Sequence, residues 1–232
     1  MATKDEILTR LLKEENYVSG EELARQTGVS RAAVWKAIKS LKKSGYDIEG
    51  VTKCGYKLKQ NNSLVTAEGV KALLEKDIEV THFDTVDSTN TYCKRLLADG
   101  KQGEFLVTAA KQTAGRGRQG KSFYSPSETG IYFSLVIRPD TSLQNAVTAT
   151  TAAAVAVCKA IEKTTDLKPK IKWVNDVYLN GKKVCGILTE ATTDFESGTV
   201  DSVIIGIGIN ISTTKFPSDV PVSYTHLTLP TT

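Results

Sequence analysis

The chain has 232 residues, enough for one large or two unequal domains with an apolar core. Its hydrophobic fraction of 40%, charged fraction of 24% and mean hydropathy of −0.20 exclude a disordered or fibrous protein. The net charge of +4 lies in residues 1–60, which carry 12 basic and 8 acidic residues, so an acidic partner such as a phosphate backbone is expected there.

The first half of this basic segment predicts a helix-turn-helix. Apolar residues at helical spacing give a first helix that ends near residues 14–16. Ser19 and Glu22 form a capping-box pattern at the start of a second helix, in which each side chain satisfies a backbone N–H at the other residue. Gly28 ends that helix, and Ser30 is placed as the N-cap of a third.

Two alternating segments, 46–51 and 56–59, follow the third helix and predict a hairpin. Three helices and a hairpin are the order of a winged helix-turn-helix, whose third helix reads the DNA major groove. A solvated charged face is the simpler explanation of such lysines, but the turn chemistry and the confined charge favour DNA binding. The expected DNA-binding residues are Ser30, Arg31, Ala32, Lys36 and Lys39.

A polar break at 61–63 divides the expected DNA-binding domain, 1–62, from a second domain, 63–222. A helix over 65–76 opens this second domain. Beyond it the patterns predict strands at 79–83, 105–111, 131–138, 171–174, 177–179, 184–189 and 203–211, and helices at 89–98 and 143–163. Tight turns between strands favour an α+β fold, with a mixed, largely antiparallel sheet and helices on one side.

The segment 115–122 carries the densest chemical signal. Its glycines let the backbone approach a ligand closely, and Arg116, Arg118 and Lys121 supply cations for a phosphate or carboxylate. The same eight residues fit the P-loop pattern, which requires a helix to begin at Lys121. Pro126 and the missing helical stripe argue against that helix, so a P-loop NTPase is the alternative.

Four other motifs accompany this loop along the chain. They are Ser-Thr-Asn at 88–90, Lys-Trp-Val-Asn-Asp at 172–176, Lys-Val-Cys-Gly-Ile-Leu at 183–188 and Gly-Ile-Gly-Ile-Asn at 206–210. With Lys-Gln-Thr-Ala-Gly-Arg-Gly-Arg at 111–118 and the winged helix-turn-helix, their order resembles the bifunctional biotin protein ligase and biotin operon repressor family. The resemblance extends to about residue 220.

The resemblance implies a catalytic domain of the class II aminoacyl-tRNA synthetase and biotin ligase type. It implies that ATP activates biotin as biotinyl-5′-AMP, and that biotin passes to a lysine of the biotin carboxyl carrier protein of acetyl-CoA carboxylase. It also implies a homodimer of the adenylate-bound protein that represses biotin synthesis genes at operator DNA.

Site residues follow from the resemblance, motif by motif. The catalytic residues are expected to be Lys183, Arg118 and Asp176. The biotin contacts are expected to be Ser88, Thr89, Asn90, Gln112, Gly115, Arg116, Gly117, Arg118, Lys183 and Gly186. The nucleotide contacts are expected to be Arg118, Lys121, Asn175, Asp176 and Asn210. Mg²⁺ is expected to accompany ATP, with no protein ligands identified for it.

Three expectations concern the cellular compartment of the protein and its C-terminal end. The four widely spaced cysteines predict free thiols in a reducing cytoplasm, and no signal peptide or membrane span is apparent. The ending at 223–232 resembles neither the family nor the preceding chain, which predicts a truncated or frame-shifted polypeptide. Such a chain would lack the family's C-terminal SH3-like barrel, and its ATP affinity and biotin transfer would be impaired.

One further alternative to a ligase remains beside the P-loop enzyme. A ligand-sensing transcription factor would bind a small molecule in the second domain without turnover. Pyrophosphate release in the presence of biotin and ATP separates a ligase from this sensor. Tight biotin binding separates a ligase from a P-loop enzyme.

Overall fold

The computed structural model describes residues 3–59, 65–139, 144–193, 200–214 and 216–217, with the backbone alone given for 144–147 and 193. The polar break at 61–63 and the expected tail at 223–232 lie outside these residues. The chain divides into two compact units between Val80 and Thr81.

The division comes later than the expected domain boundary at residue 63. The helix Ala67–Leu73, capped by Thr66, packs on the first helix of the chain. Lys4 Nζ also donates to Glu68 Oε1 at 2.7 Å. This helix therefore belongs to the first unit and not to the second domain, where the sequence patterns placed it.

The order of elements matches the expected one throughout the described residues. The first unit contains α1 (Thr3–Lys13), α2 (Gly20–Thr27), α3 (Arg31–Lys43), β1 (Ile48–Val51), β2 (Gly55–Leu58) and α4 (Ala67–Leu73). The sheet that follows and its helices are β3 (Glu79–Phe83), α5 (Thr89–Ala98), β4 (Phe105–Ala109), β5 (Gly130–Ile137), α6 (Gln144–Thr164), β6 (Lys170–Lys172), β7 (Asp176–Leu179), β8 (Lys182–Thr193) and β9 (Val200–Asn210).

Local capping determines the turn between α2 and α3. Ser19 Oγ accepts from Glu22 N at 3.0 Å, and Gly28 takes the left-handed conformation at φ 66°. Ser30 Oγ accepts from Ala33 N at 3.2 Å. The capping box differs from the expected reciprocal form, because the Glu22 carboxylate accepts hydrogen bonds from Arg25 instead.

The first unit is a winged helix-turn-helix, as expected. Its core gathers apolar residues from all three helices, including the fully buried Leu8, Leu23 and Leu41. Burial of one such leucine contributes about 2 kcal/mol. The wing is the antiparallel hairpin of β1 and β2, which pairs Ile48 with Leu58 and so ties its inner end to this core.

The second unit is built on a seven-stranded sheet in the order β3-β4-β5-β9-β8-β7-β6. The pairings of β4 with β5, β5 with β9, β9 with β8, β8 with β7 and β7 with β6 are antiparallel. The sheet order is linear, so the described strands do not close into a barrel. This is the expected largely antiparallel α+β sheet.

The two long helices of the second unit lie on opposite faces of the sheet, which corrects the expectation of helices on one side. Along β9, Val203 and Ile205 pack with α6, whereas Ile204 packs with Cys93 of α5. Successive side chains of a strand point to opposite faces. The α5 face therefore carries the even-numbered residues of β9, including Gly206 and Gly208.

The cysteines and the lengths of the helices bear on two further expectations. Cys54, Cys93, Cys158 and Cys185 are free thiols. Burial raises the pKa of the Cys93 thiol to about 12, so it remains protonated at neutral pH. None of the helices in the described part of the chain has the length and apolar character needed to cross a bilayer.

Candidate functional site

The glycine-rich segment folds back on itself as a short hairpin. Gly117 N donates to Lys121 O at 2.7 Å, and Phe123 N donates to Gly115 O at 2.8 Å. A Cβ on Gly115 would lie 2.3 Å from the Phe123 carbonyl oxygen, so only glycine fits there. The backbone of this segment is thereby brought close to the sheet.

The turn of this hairpin is a single 3₁₀ turn, Arg118–Gly120. Lys121 has an extended backbone, and the described residues 121–129 contain no helix. A P-loop requires a helix at this position, because the helix N-terminus holds the phosphate. The structure therefore does not favour the P-loop alternative.

A pocket, called here the narrow pocket, lies on the α5 face of the sheet beneath this hairpin. Nine of the ten residues expected to contact biotin line it, namely Ser88, Thr89, Asn90, Gln112, Arg116, Gly117, Arg118, Lys183 and Gly186. The tenth, Gly115, is buried in the base of the hairpin.

One wall of the narrow pocket is a connected set of polar side chains. Gln112 Oε1 accepts from Thr89 N at 2.8 Å, while Gln112 Nε2 donates to Ser125 Oγ at 2.8 Å. Ser134 Oγ lies 2.7 Å from Thr89 Oγ1 and 2.6 Å from Asn90 Oδ1. These hydrogen bonds fix the orientation of the wall before any ligand enters.

The floor of the narrow pocket is made of glycines on β8 and β9. A Cβ on Gly206 would lie 2.1 Å from Asn90 Oδ1, and a Cβ on Gly208 would lie 2.3 Å from the Phe123 ring. Gly186 pairs with Gly208 across the two strands and also faces this ring. The glycine-spaced strand therefore packs closely against two side chains that line the pocket.

A second, larger pocket, called here the wide pocket, adjoins the first. All five residues expected to contact the nucleotide line it, namely Arg118, Lys121, Asn175, Asp176 and Asn210. Lys172 and two aromatic residues, Tyr124 and Phe216, line it as well. Trp173, which follows Lys172, is 74% exposed.

The two pockets share a charged junction. Lys183 Nζ lies 2.7 Å from Asp176 Oδ1, and both side chains are largely buried. Arg118 Nη1 donates to Asn175 Oδ1 at 3.1 Å, and Asn175 Nδ2 donates to Asp176 Oδ1 at 3.1 Å. The expected catalytic residues are thus joined by one hydrogen-bonded chain at the place where both pockets meet.

Asn210 adds an acceptor to the wide pocket. Its side chain is 2% exposed, and its Oδ1 has no hydrogen-bond partner among the described residues. A buried acceptor without a partner costs about 1–3 kcal/mol. A ligand N–H group in the wide pocket would remove this cost.

Arg116 is placed differently from the other loop cations. Its Nη2 lies 3.0 Å from Glu190 Oε1, and its Nη1 donates to Glu190 Oε2 at 3.1 Å. Burial opposes ionisation of Glu190, but hydrogen bonds from Lys94 and Asn90 outweigh it, so the pKa of this carboxyl is lowered. Glu190 is therefore ionised at neutral pH and holds the Arg116 guanidinium.

The expected DNA-binding residues lie together at the start and on the outer face of α3. Arg31, Ala32, Lys36 and Lys39 are exposed, whereas the Ser30 hydroxyl caps the helix. Trp35 is 54% exposed, and Lys39 Nζ lies 5.1 Å from the centre of its ring. A groove beside Arg31 and Trp35 runs to the wing at residues 50–53.

Comparisons with known proteins match both regions, the one that carries the pockets and the one that carries α3. The model of the biotin/lipoate A/B protein ligase family matches residues 82–210, and an HTH domain model matches residues 3–57. The chain is 39% identical over 208 residues to the bifunctional ligase/repressor BirA of Bacillus subtilis, covering 88% of this chain and 63% of that protein. It is 32% identical to BirA of Escherichia coli, with the same coverages.

This chain belongs to the biotin/lipoate A/B protein ligase family. It spans less than two thirds of the length of these curated relatives. A biotin protein ligase of Aquifex aeolicus in complex with biotin and ATP superposes with a TM-score of 0.53 at 31% identity, over 64% of this chain and 59% of that one. A biotin-bound ligase of Leishmania major gives 0.51 at 26% identity, over 63% and 62%.

The sequence patterns missed Phe123 and Glu190 beside the pockets of the second unit, and Trp35 on α3 of the first unit. Phe123 directly follows the segment 115–122, and its position in the sequence does not indicate that its ring covers the glycines of β8 and β9. Glu190 lies in β8 two residues beyond the motif at 183–188, where no pattern marks it. Trp35 was detectable, since a tryptophan outside the buried stripe of a helix stands out among lysines.

Proposed function

We propose that this chain is an ATP-dependent biotin protein ligase that also binds operator DNA and represses biotin synthesis genes. The acceptor is a lysine of the biotin carboxyl carrier protein of acetyl-CoA carboxylase. The proposal places this activity in the cytoplasm. Support for biotin and ATP as ligands comes from the Aquifex relative, which is a complex with both.

The observation that carries the ligase proposal is the shared junction of the two pockets. Lys183 and Arg118 line both the narrow and the wide pocket. Biotin in the narrow pocket would present its carboxylate there, and ATP in the wide pocket would present its α-phosphate. A site that joins two anions needs fixed cations at the point where they meet, and the junction supplies them.

In the first step, a biotin carboxylate oxygen attacks the α-phosphorus, forms biotinyl-5′-AMP and expels pyrophosphate. Lys183 neutralises the carboxylate, and the Arg118 guanidinium stabilises the charge that develops on the phosphoryl oxygens. Asp176 holds Lys183 in place at 2.7 Å before substrate arrives. Asn175 holds both Arg118 and Asp176, so the geometry of the junction is set by one amide.

In the second step, the amine of the carrier lysine attacks the acyl carbon, and AMP leaves as the amide forms. The attacking amine must be uncharged, so a proton has to depart. Asp176 is the one carboxylate among the described residues that line the wide pocket, which makes it the candidate acceptor. The hairpin over 115–123 covers the narrow pocket and excludes water from the mixed anhydride.

Magnesium would enter this site with ATP. The described residues contain no group of three histidine, cysteine or acidic side chains that could hold a metal ion. Mg²⁺ commonly binds one or two carboxylates together with substrate phosphates and water. Asp176 fits that single-carboxylate role, and the ion would supply further screening of the phosphate charge.

Biotin-dependent exchange of pyrophosphate into ATP tests the ligase proposal. The purified chain is incubated with ATP, labelled pyrophosphate and Mg²⁺, with and without biotin, and biotin binding is measured by calorimetry. A ligase exchanges label only when biotin is present. Biotin binding without exchange would support the ligand-sensing alternative, and nucleotide hydrolysis without biotin would support the P-loop alternative.

The repressor part of the proposal is carried by the exposed face of α3. Its cations and the wing at 50–53 frame a groove on one side of the first unit. We propose that the adenylate-bound chain forms a homodimer on DNA, because two winged helices read two half-sites. Sedimentation with and without biotin and ATP tests this, and a monomer under both conditions would refute it.

A further inference from the structure

The outermost strand of the seven-stranded sheet carries a surface that is both basic and apolar. β6 is the last strand in the sheet order and pairs with β7 alone among the described strands. All of its residues, Lys170–Lys172, are exposed, as are Lys168 before it and Trp173 after it. Residues 168–173 are called here the basic edge. Three of these six side chains are lysines and none is acidic.

The lysines of the basic edge lead to the wide pocket. Across β6 and β7, Lys170 pairs with Tyr178 and Lys172 pairs with Asp176. Paired residues of neighbouring strands point to the same face of a sheet, so both lysines share the face that carries Asp176. Lys172, Tyr178 and Asp176 all line the wide pocket. The basic edge therefore borders this pocket.

Trp173 is the most exposed of the large apolar side chains in the described part of the chain. Its exposed fraction is 74%, against 36% for Ile171 in the same segment. Lysines on an edge strand discourage pairing with other sheets, but that purpose does not explain an exposed tryptophan beside them. Tryptophan is enriched among the residues that carry the binding energy of protein interfaces. The ring therefore indicates a contact with a protein partner.

The chemistry proposed for the site indicates which partner comes to the wide pocket. Biotin transfer requires a carrier lysine to reach the acyl carbon near Asp176, and a lysine side chain spans about 6 Å from Cα to Nζ. The carrier surface around that lysine must then lie against the mouth of the wide pocket. The basic edge borders this mouth, and its cations complement an acidic surface.

We propose that the basic edge is a docking surface for the carrier protein, with Trp173 as the apolar anchor and Lys168 and Lys170 as partners for acidic residues of the carrier. This inference rests on the proposed function, because it takes the carrier as the acceptor of biotin. The described linings of the narrow and wide pockets include none of these three residues. Changes at them should therefore alter carrier binding and leave adenylate formation intact.

Binding to the unbiotinylated carrier tests the role of Trp173. The carrier is immobilised, and biolayer interferometry gives the association and dissociation rates of the chain. Trp173→Ala should weaken binding about tenfold, chiefly through faster dissociation, because an aromatic anchor is lost. Trp35→Ala is the matched control, since it removes the exposed tryptophan of the first unit. It should bind the carrier as the wild type does.

Charge reversal tests the lysines of the basic edge. Lys168→Glu with Lys170→Glu should slow association about tenfold and make it less sensitive to salt, because electrostatic attraction acts mainly on the approach of a partner. Lys159→Glu with Lys163→Glu makes the same change of net charge at exposed positions of α6 and is the control. Equal slowing in both double variants would mean that net charge, and not the basic edge, attracts the carrier.

Biotin-dependent pyrophosphate exchange separates docking from the proposed function, because this exchange needs no carrier. W173A and K168E/K170E should both exchange at the wild-type rate. A wild type without exchange would refute the proposed function, while the binding comparison would still decide whether the basic edge holds the carrier. A loss of exchange in W173A would overturn the docking surface, since the ring would then serve the pockets themselves.

Two further outcomes would also overturn the docking surface. One is a W173A variant that binds the carrier as the wild type does, or binding by neither protein. The other is a loss of self-association of W173A in sedimentation with biotin and ATP while its carrier binding is unchanged. That result would assign the basic edge to a second copy of the chain.

Discussion

The two units both carry clusters of cations, but they hold them in opposite ways. On α3, Arg31 and Lys36 are exposed to solvent. In the second unit, Lys183 and Arg116 are held by carboxylates at 2.7 and 3.0 Å. A polyanion such as DNA is bound by displacing its counterions, which mobile surface cations do well. A reaction between two anions needs cations that are already in place.

This difference predicts that salt separates the two activities. DNA binding by α3 should weaken steeply as salt rises, because counterions are released in proportion to the phosphates contacted. Biotin binding in the narrow pocket should change less, since the Lys183–Asp176 pair is largely buried and screening acts weakly on it. Variants that remove one kind of cation at a time test whether DNA binding and biotin binding depend on different cations.

The largest effect is expected from Lys183→Ala. Loss of the cation at the junction should lower biotin-dependent pyrophosphate exchange about a thousandfold, since the developing charge would be left without its fixed partner. Lys182→Ala, which alters the exposed neighbour in the same strand, is the control and should exchange normally. Near-normal exchange by K183A would remove this lysine from the catalytic role.

The next effect concerns the first unit. Arg31→Ala with Lys36→Ala should lower the affinity for selected DNA about a hundredfold, because a base contact and a phosphate contact are lost together. Arg10→Ala with Lys13→Ala removes two exposed cations from α1 and is the control. Fluorescence anisotropy measures the affinity, and equal losses in both double variants would mean that net charge alone binds the DNA.

Trp35 refines this expectation. An exposed ring on the face of α3 that carries Arg31 is placed to contact thymine methyl groups in the major groove. Trp35→Ala should weaken DNA binding about tenfold, and Trp35→Phe should retain most of the affinity. Substituting uracil for thymine in the DNA should weaken the wild type but not W35A. An unaffected W35A would exclude the ring from the interface.

The smallest effect concerns the start of α5. The Arg95 guanidinium beside Asp87 lowers the pKa of that carboxyl to about 2. The pair should therefore stabilise the fold above about pH 4, and this contribution should be lost as the pH falls through 2. Asp87→Asn should lower the thermal midpoint at pH 7 and much less at pH 2. Arg95→Gln should reproduce that profile, and a pH-independent difference would contradict it.

Local signals made much of the first unit predictable. Ser19, Gly28 and Ser30 act within three or four residues, so their caps can be read from the sequence. The reciprocal half of the capping box failed for an equally local reason. Arg25 lies one turn after Glu22 and competes for its carboxylate at 2.6 Å.

The site was predictable where motifs carry its residues and not where the contacts are distant. Nine of the residues expected to contact biotin line one pocket and the five expected to contact the nucleotide line the next, and each of them belongs to a short motif. Glu190 meets Asn90 from 100 positions away, and no local pattern indicates that contact. The placement of α5 and α6 on opposite faces depends on sheet register, which strand patterns alone leave open.

The chain contains two tryptophans, and they lie in different units. Trp35 is on the exposed face of α3, and Trp173 is two residues from Asn175, which lines the wide pocket. Both rings are more than half exposed, so their emission should shift when a partner covers them. Replacing either one by phenylalanine leaves a single tryptophan, so the emission shift of each variant reports the occupancy of one surface alone.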